Sequence, residues 1–152
     1  MRIWFDTEFI EDGKTIDLLS VGMVAEDGRE YYAEPLEADR ARACPWVREN
    51  VIPHLTGPIK SRHQIASDIL EFAGDEPEFW AWFAAYDWVV LCQLYGRMIQ
   101  LPKRWPMRAD DLAQFAEGIQ LPEQTSTKHN ALEDARWTKL AWEHVVLWGM
   151  PE

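Results

Sequence analysis

The chain has 152 residues, 47% of them hydrophobic and nine of them Trp, which is long enough to bury a core and reads as one domain, residues 1–152. A formal net charge of −11 argues against a surface that grips duplex nucleic acid by neutralising phosphates, but not against an enzyme that recruits divalent cations to them. No run of about 18 apolar residues is present to span a membrane, and no basic segment followed by an apolar run marks a secretory signal; Cys44 and Cys92 are expected as buried free thiols in a reducing cytoplasm.

The first strand is expected over residues 2–8. Glu11-Asp12-Gly13 turns the chain, Thr15–Ala25 is a longer strand, and Glu26-Asp27-Gly28 leads into a third over Arg29–Ala33. Three antiparallel strands therefore open the chain. Pro45–Val51 predicts a short helix carrying Trp46 and Val47, broken by Pro53 and Gly57-Pro58. Ser61 to Gln64 matches a capping box, with Ile65, Ile69, Leu70 and Phe72 facing inward and Gly74 ending the helix. Glu78–Ala84 is almost continuously apolar, as a central parallel strand would be. Tyr86–Tyr95 predicts a helix closed by Gly96, Met107–Ala109 a short strand, Asp110–Glu117 a helix, and Asn130–Trp148 a long last helix. Antiparallel strands followed by alternating strands and helices predict an α/β fold: one mixed five-stranded sheet, three strands antiparallel and then two parallel, flanked by helices.

Four carboxylates stand out. Asp6 and Glu8 are two apart on the first strand, so they share a face with Cα atoms roughly 6.6 Å apart. Two acids that close resist joint ionisation unless a cation sits between them; the alternative is that Glu8 has left the strand and both are solvated. Asp87 follows the apolar strand, either as a helix N-cap or as a site residue at a strand's C-terminal end. Asn130 to Glu133 reads as a capping box, which gives Glu133 a structural task. Asp134 shares a helical face with Ala131, Thr138, Ala141, Val145 and Trp148, the face that must dock on the sheet. A buried acid there needs a partner, basic or metallic. His129 precedes the cap, either as a surface residue or as a proton acceptor over the same cluster.

Asp6-Thr7-Glu8, then Asp87, then His129 with four residues before Asp134, resembles the DEDDh branch of 3′-to-5′ exonucleases, which have a ribonuclease H-like fold. Within it, the segments DTEF, EDGREYYA, AWFAAYDWVVLCQLYG and HNALEDAR look similar to the small actinobacterial exoribonucleases. One departure is that many members carry His-Asn shortly before the second-motif Asp, where this chain has Trp82-Phe83-Ala84-Ala85. The resemblance implies hydrolysis of single-stranded RNA or 3′ overhangs to 5′-nucleoside monophosphates. It also implies two Mg²⁺ ions, or Mn²⁺, with Asp6 bridging both, Glu8 and Asp134 on one and Asp87 on the other. His129 would be the general base, and the small relatives point to a homodimer.

Substrate contacts are sought at Phe9 and Ile10 beside the first motif, at Trp88, which packing along the Leu91 and Cys92 face would equally explain, and at Gln64 with Arg62. With so acidic a chain, stacking on bases and a few local cations, Lys60, Arg62, Arg104 and Lys128, would carry the grip on a single strand. Two rival functions are a DNA exonuclease of the same branch and a non-catalytic nucleotide-binding domain.

Overall fold

The structure is a computed structural model that describes residues 1–148. Strands β1 (Arg2–Glu11), β2 (Ile16–Ala25) and β3 (Glu30–Pro35) form the expected antiparallel meander. Asp12 stabilises the first turn by accepting from the backbone N–H groups of Lys14 and Thr15. Gly28, at φ 89°, supplies the left-handed residue of the second turn. Helix α1 (Pro45–Asn50) and strand β4 (Ile59–Lys60) precede α2 (Arg62–Ala73). Strand β5 (Glu78–Ala81), helix α3 (Ala85–Cys92), strand β6 (Asp110–Asp111), α4 (Leu112–Phe115) and α5 (Ala131–Trp148) complete the chain.

The sheet has six strands in the order β4-β3-β2-β1-β5-β6, not the five expected. The added strand, β4, pairs two residues parallel to the end of β3, too short a segment to carry a periodic signal. β5 runs parallel to β1 and β6 parallel to β5, so β5 is interior. This mixed sheet with helices on its faces fits a ribonuclease H-like fold. The last strand lies at Asp110–Asp111, beyond the expected Met107–Ala109, and Asp111 then caps α4 by accepting from the Ala113 N–H.

Alternation along β1 divides the molecule. Ile3 and Phe5 face α2 and α3, in a core with Ile65, Ile69, Phe79, Val90 and Leu91. Trp4 faces the other way and meets Trp142 of α5 edge-on at 5.3 Å. Helix α5 buries Ala131, Ala135, Thr138, Ala141 and Val145 against that second face. Small residues let it approach closely, and at Gly22 of β2 a Cβ atom would lie 2.3 Å from the Ala131 backbone.

Several local expectations are corrected. The Glu78–Ala84 run is strand only to Ala81 and turns over 82–84, where Phe83 takes φ 52°. Leu70 and Trp148 are exposed rather than inward, since each lies at the edge of its helix's buried stripe. Cys44 is exposed, on the N-cap of α1, while Cys92 is half-buried; both are free thiols. Neither capping box closes: Ser61 accepts from the Gln64 N–H, but the Gln64 side chain turns to Asp68, and Glu133 pairs with Arg136.

Candidate active site

Asp6 and Glu8 remain in β1, both turned to the α5 face, and the strand register slips immediately after Glu8. That irregularity ends regular pairing where the acids are presented, a common use of a bulge. Asp6 lies opposite Gly22, whose missing side chain lets the first turn of α5 press onto β2. The same close approach brings Asp134 over the strand.

The chain positions Asp134 through its two oxygens. Oδ2 accepts from the His129 backbone N–H at 2.9 Å, and Oδ1 from Gln124 Nε2 at 2.5 Å. Both partners are neutral, and among the described residues no Lys or Arg pairs with this carboxylate. His129 sits at φ 63°, outside the helix, and Asn130 caps α5 by accepting from the N–H groups of Leu132 and Glu133. The His129 ring meets Trp46 of α1 edge-on at 5.0 Å, and its Nδ1 lies 3.9 Å from Glu8 Oε1.

Asp87 is buried in the first turn of α3, past the N-cap position, which Ala84 takes. Thr7, between the two acids of β1, holds it: the Thr7 N–H donates at 2.9 Å and its hydroxyl at 2.6 Å, both to Asp87 Oδ1. Thr7 and Gln124 escaped sequence reasoning. The central residue of Asp6-Thr7-Glu8 carries a signal only once the opposite face of β1 is known to meet α3.

Asp6, Glu8, Asp87, His129 and Asp134 line one cavity of about 530 Å³, together with Trp82 and Trp137. Burial raises the pKa of all four acids, and for Asp6 and Glu8 the neighbouring carboxylates of the cluster add to it. Burial, then the charges of Asp87, Glu8 and Asp134, pushes Asp6 well above the usual carboxylate range. Burial and the same neighbours push Glu8 up to about 8. Burial raises Asp87 to about 6 against the pull of the Thr7 bonds, and burial also raises Asp134. Asp6 Oδ2 is shut off from solvent with no hydrogen-bond partner among the described residues. A polar atom so placed is costly unless something charged completes it. An all-oxygen donor set suits hard divalent cations. Ligand atoms of Glu8, His129 and Asp134 also lie within 4.8 Å of one another.

The chain matches the sequence profile of the Rv2179c-like 3′-5′ exoribonuclease domain over residues 1–146. It belongs to that family. Two curated relatives agree, the 3′-5′ exoribonucleases MT2234.1 and Rv2179c of Mycobacterium tuberculosis strains CDC 1551 and H37Rv. Each is 48% identical over 147 residues, covering 90% of this chain and 88% of the relative. The Rv2179c-like family is a nuclease family, so the acid cluster is a candidate hydrolytic centre, and the actinobacterial likeness of the sequence holds.

The remaining sequence candidates lie elsewhere. Phe9 stacks on Tyr86 with ring centroids 6.1 Å apart. Phe9 and the buried Ile10 border a second cavity that shares Glu8 with the first. Trp88 packs against Phe79 at 5.4 Å, and Gln64 donates to Asp68 at 2.6 Å; neither lines the acidic cavity. No helix among the described residues is long and apolar enough to cross a membrane.

Proposed function

We propose that this chain, as a single exonuclease domain, hydrolyses single-stranded RNA or 3′ overhangs from the 3′ end and releases 5′-nucleoside monophosphates. The observation that carries the reading is the buried, unpartnered Asp6 Oδ2 among three further carboxylates, beside a histidine. Asp6, Glu8, Asp87 and Asp134 would hold two Mg²⁺ or Mn²⁺ ions, and His129 would act as general base, the DEDDh arrangement. When bound, such ions supply Lewis-acid charge to the attacking and leaving oxygens of an in-line displacement.

The protein's own groups do the rest. Nδ1 of His129 lies 3.9 Å from Glu8 Oε1, which sets the imidazole beside the acid cluster. As general base, the imidazole would take a proton from the attacking water. The water oxygen bonds to phosphorus as the P–O3′ bond breaks, which yields the 5′-nucleoside monophosphate, and the 3′-oxygen of the shortened strand takes a proton from solvent water to leave as a hydroxyl. The ring of Trp46 restrains the imidazole from one side. Phe9, at the border of the neighbouring cavity, is positioned to flank the terminal base. Free thiols suit a reducing cytoplasm.

The spacing of Glu8, His129 and Asp134 favours a second reading, in which His129 is a metal ligand. The decisive assay incubates end-labelled RNA and matched DNA oligomers with the protein, with Mg²⁺ or with EDTA. RNA shortened from its 3′ end only with Mg²⁺, and left intact by a folded Asp6→Ala variant, is the expected result. DNA consumed while RNA survives would select the DNA exonuclease. Undiminished cleavage by Asp6→Ala would overturn the metal assignment.

A further inference from the structure

The chain has few cations near its acids, and the structure separates them. Of Lys60, Arg62, Arg104 and Lys128, three are spent on carboxylates. Lys60 pairs with Asp68 at 2.6 Å, Arg62 with Asp17, and Arg104 with Asp75 and Glu76. Lys128 is exposed and makes no ion pair among the described residues. It lines the cavity of Asp6, Glu8, Asp87 and Asp134, and no other Lys or Arg does.

An ammonium beside several carboxylates would ordinarily collapse onto one of them. Here Asp134 is engaged by Gln124 and the His129 N–H and Asp87 by Thr7, and among the described residues no ion pair joins Lys128 to Asp6, Glu8 or Glu123, which line the same cavity. Lys128 is also the residue before His129, whose backbone is fixed by its bond to Asp134. Lys128 is thereby an exposed lining residue of the acidic cavity, next in the chain to an anchored backbone. Apart from any cations the carboxylates hold, Lys128 is the one Lys or Arg of the cavity lining that can attract a phosphodiester.

We propose that Lys128 binds the phosphate that is cleaved, through a non-bridging oxygen, and is the chain's own cationic contact to its substrate. This rests on the exoribonuclease reading. It assigns the phosphate grip to one residue rather than to a basic surface, as a net charge of −11 requires. An ammonium is a compact point charge with three rotatable donors, suited to a phosphate oxygen whose position shifts during displacement.

The test compares wild type, Lys128→Ala, Lys128→Arg and Lys60→Ala on an RNA oligomer and on a dinucleotide with a single phosphodiester, at saturating Mg²⁺ and 50–200 mM KCl. Losing one charge-assisted hydrogen bond should lower kcat/KM of Lys128→Ala roughly 10–100-fold on both substrates. Its plot of log kcat/KM against log salt should be shallower by about 0.7, the value for one phosphate contact on a single strand. Lys128→Arg should restore the slope, and Lys60→Ala should match wild type. The Mg²⁺ concentration that half-saturates a thermal-shift titration should be the same in all four proteins, which a structural or metal-holding role would not allow. An unchanged kcat/KM and slope in Lys128→Ala overturns the proposal while the nuclease reading stands. So does a loss on the oligomer that disappears on the dinucleotide. Wild-type protein that leaves both RNAs intact overturns the nuclease reading and this proposal with it.

Discussion

Asp6 and its neighbours make the metal-free protein sensitive to pH in a defined direction. In an unfolded chain these carboxyls ionise near pH 4. In the folded protein Asp6 stays protonated well above that, Asp87 to about 6 and Glu8 to about 8. Between those limits the folded state holds protons that the unfolded state has lost, so stability falls as pH rises. In EDTA, the melting temperature should therefore decrease from pH 5 to pH 8. Mg²⁺ should raise it more at pH 8 than at pH 5, and Asp6→Asn should flatten the trend. Equal Mg²⁺ stabilisation at both pH values would contradict a site built from these acids. His129→Ala should lower turnover by about 10²–10⁴-fold, the usual loss for a general base. Its Mg²⁺ thermal-shift titration should remain like wild type; a failed titration would make His129 a ligand.

At the scale of elements, the site depends on how closely two helices reach β1. Gly22→Ala places a methyl 2.3 Å from the backbone of α5, so the helix must move. Overpacking of this kind costs roughly 1–3 kcal/mol. Denaturant melts should show that loss, and activity should fall further than stability explains because Asp134 moves off Asp6. A variant with wild-type kcat/KM would show that the spacing is not needed. Thr7→Val keeps the shape and the backbone N–H but removes the 2.6 Å hydroxyl bond to Asp87. It should cost about 1.5–3 kcal/mol by analogy with hydrogen bonds to charged groups, and should weaken Mg²⁺ binding in the same titration. Elements with strong periodicity were legible in advance: the β1–β3 meander, α2 and α5. The two-residue strand β4 was not, and β6 was expected three residues too early, because pairing at the end of a neighbour, rather than side-chain alternation, creates both. The end of β5 at Ala81 was also hidden, because Trp82 and Phe83 are as apolar as the strand they follow.

For the whole molecule, charge and exposed apolar surface set the expectations. Leu140, Leu147 and Trp148 leave an apolar stripe on the outer side of α5, and a self-interface would cover such surface. Sedimentation equilibrium is expected to give a mass near twice 17.7 kDa. A Leu147→Glu variant is expected to shift it toward the single chain, and a monomer in the unaltered protein would refute the homodimer.

The sequence by itself determined the class of fold and singled out the acids that the structure gathers in one cavity. Strand and helix periods dictate which residues share a face, and carboxylates at buried positions stand out against that pattern. Tertiary structure decided what holds the acids in place and what stands beside them. Thr7 grips Asp87 across the sheet, Gln124 reaches Asp134 from a loop, and Gly22 admits α5. It also left Lys128 as the cation of the cavity while pairing three others elsewhere. Those contacts join residues far apart in the chain, and no local period encodes which side chains meet when helices dock on opposite faces of one strand.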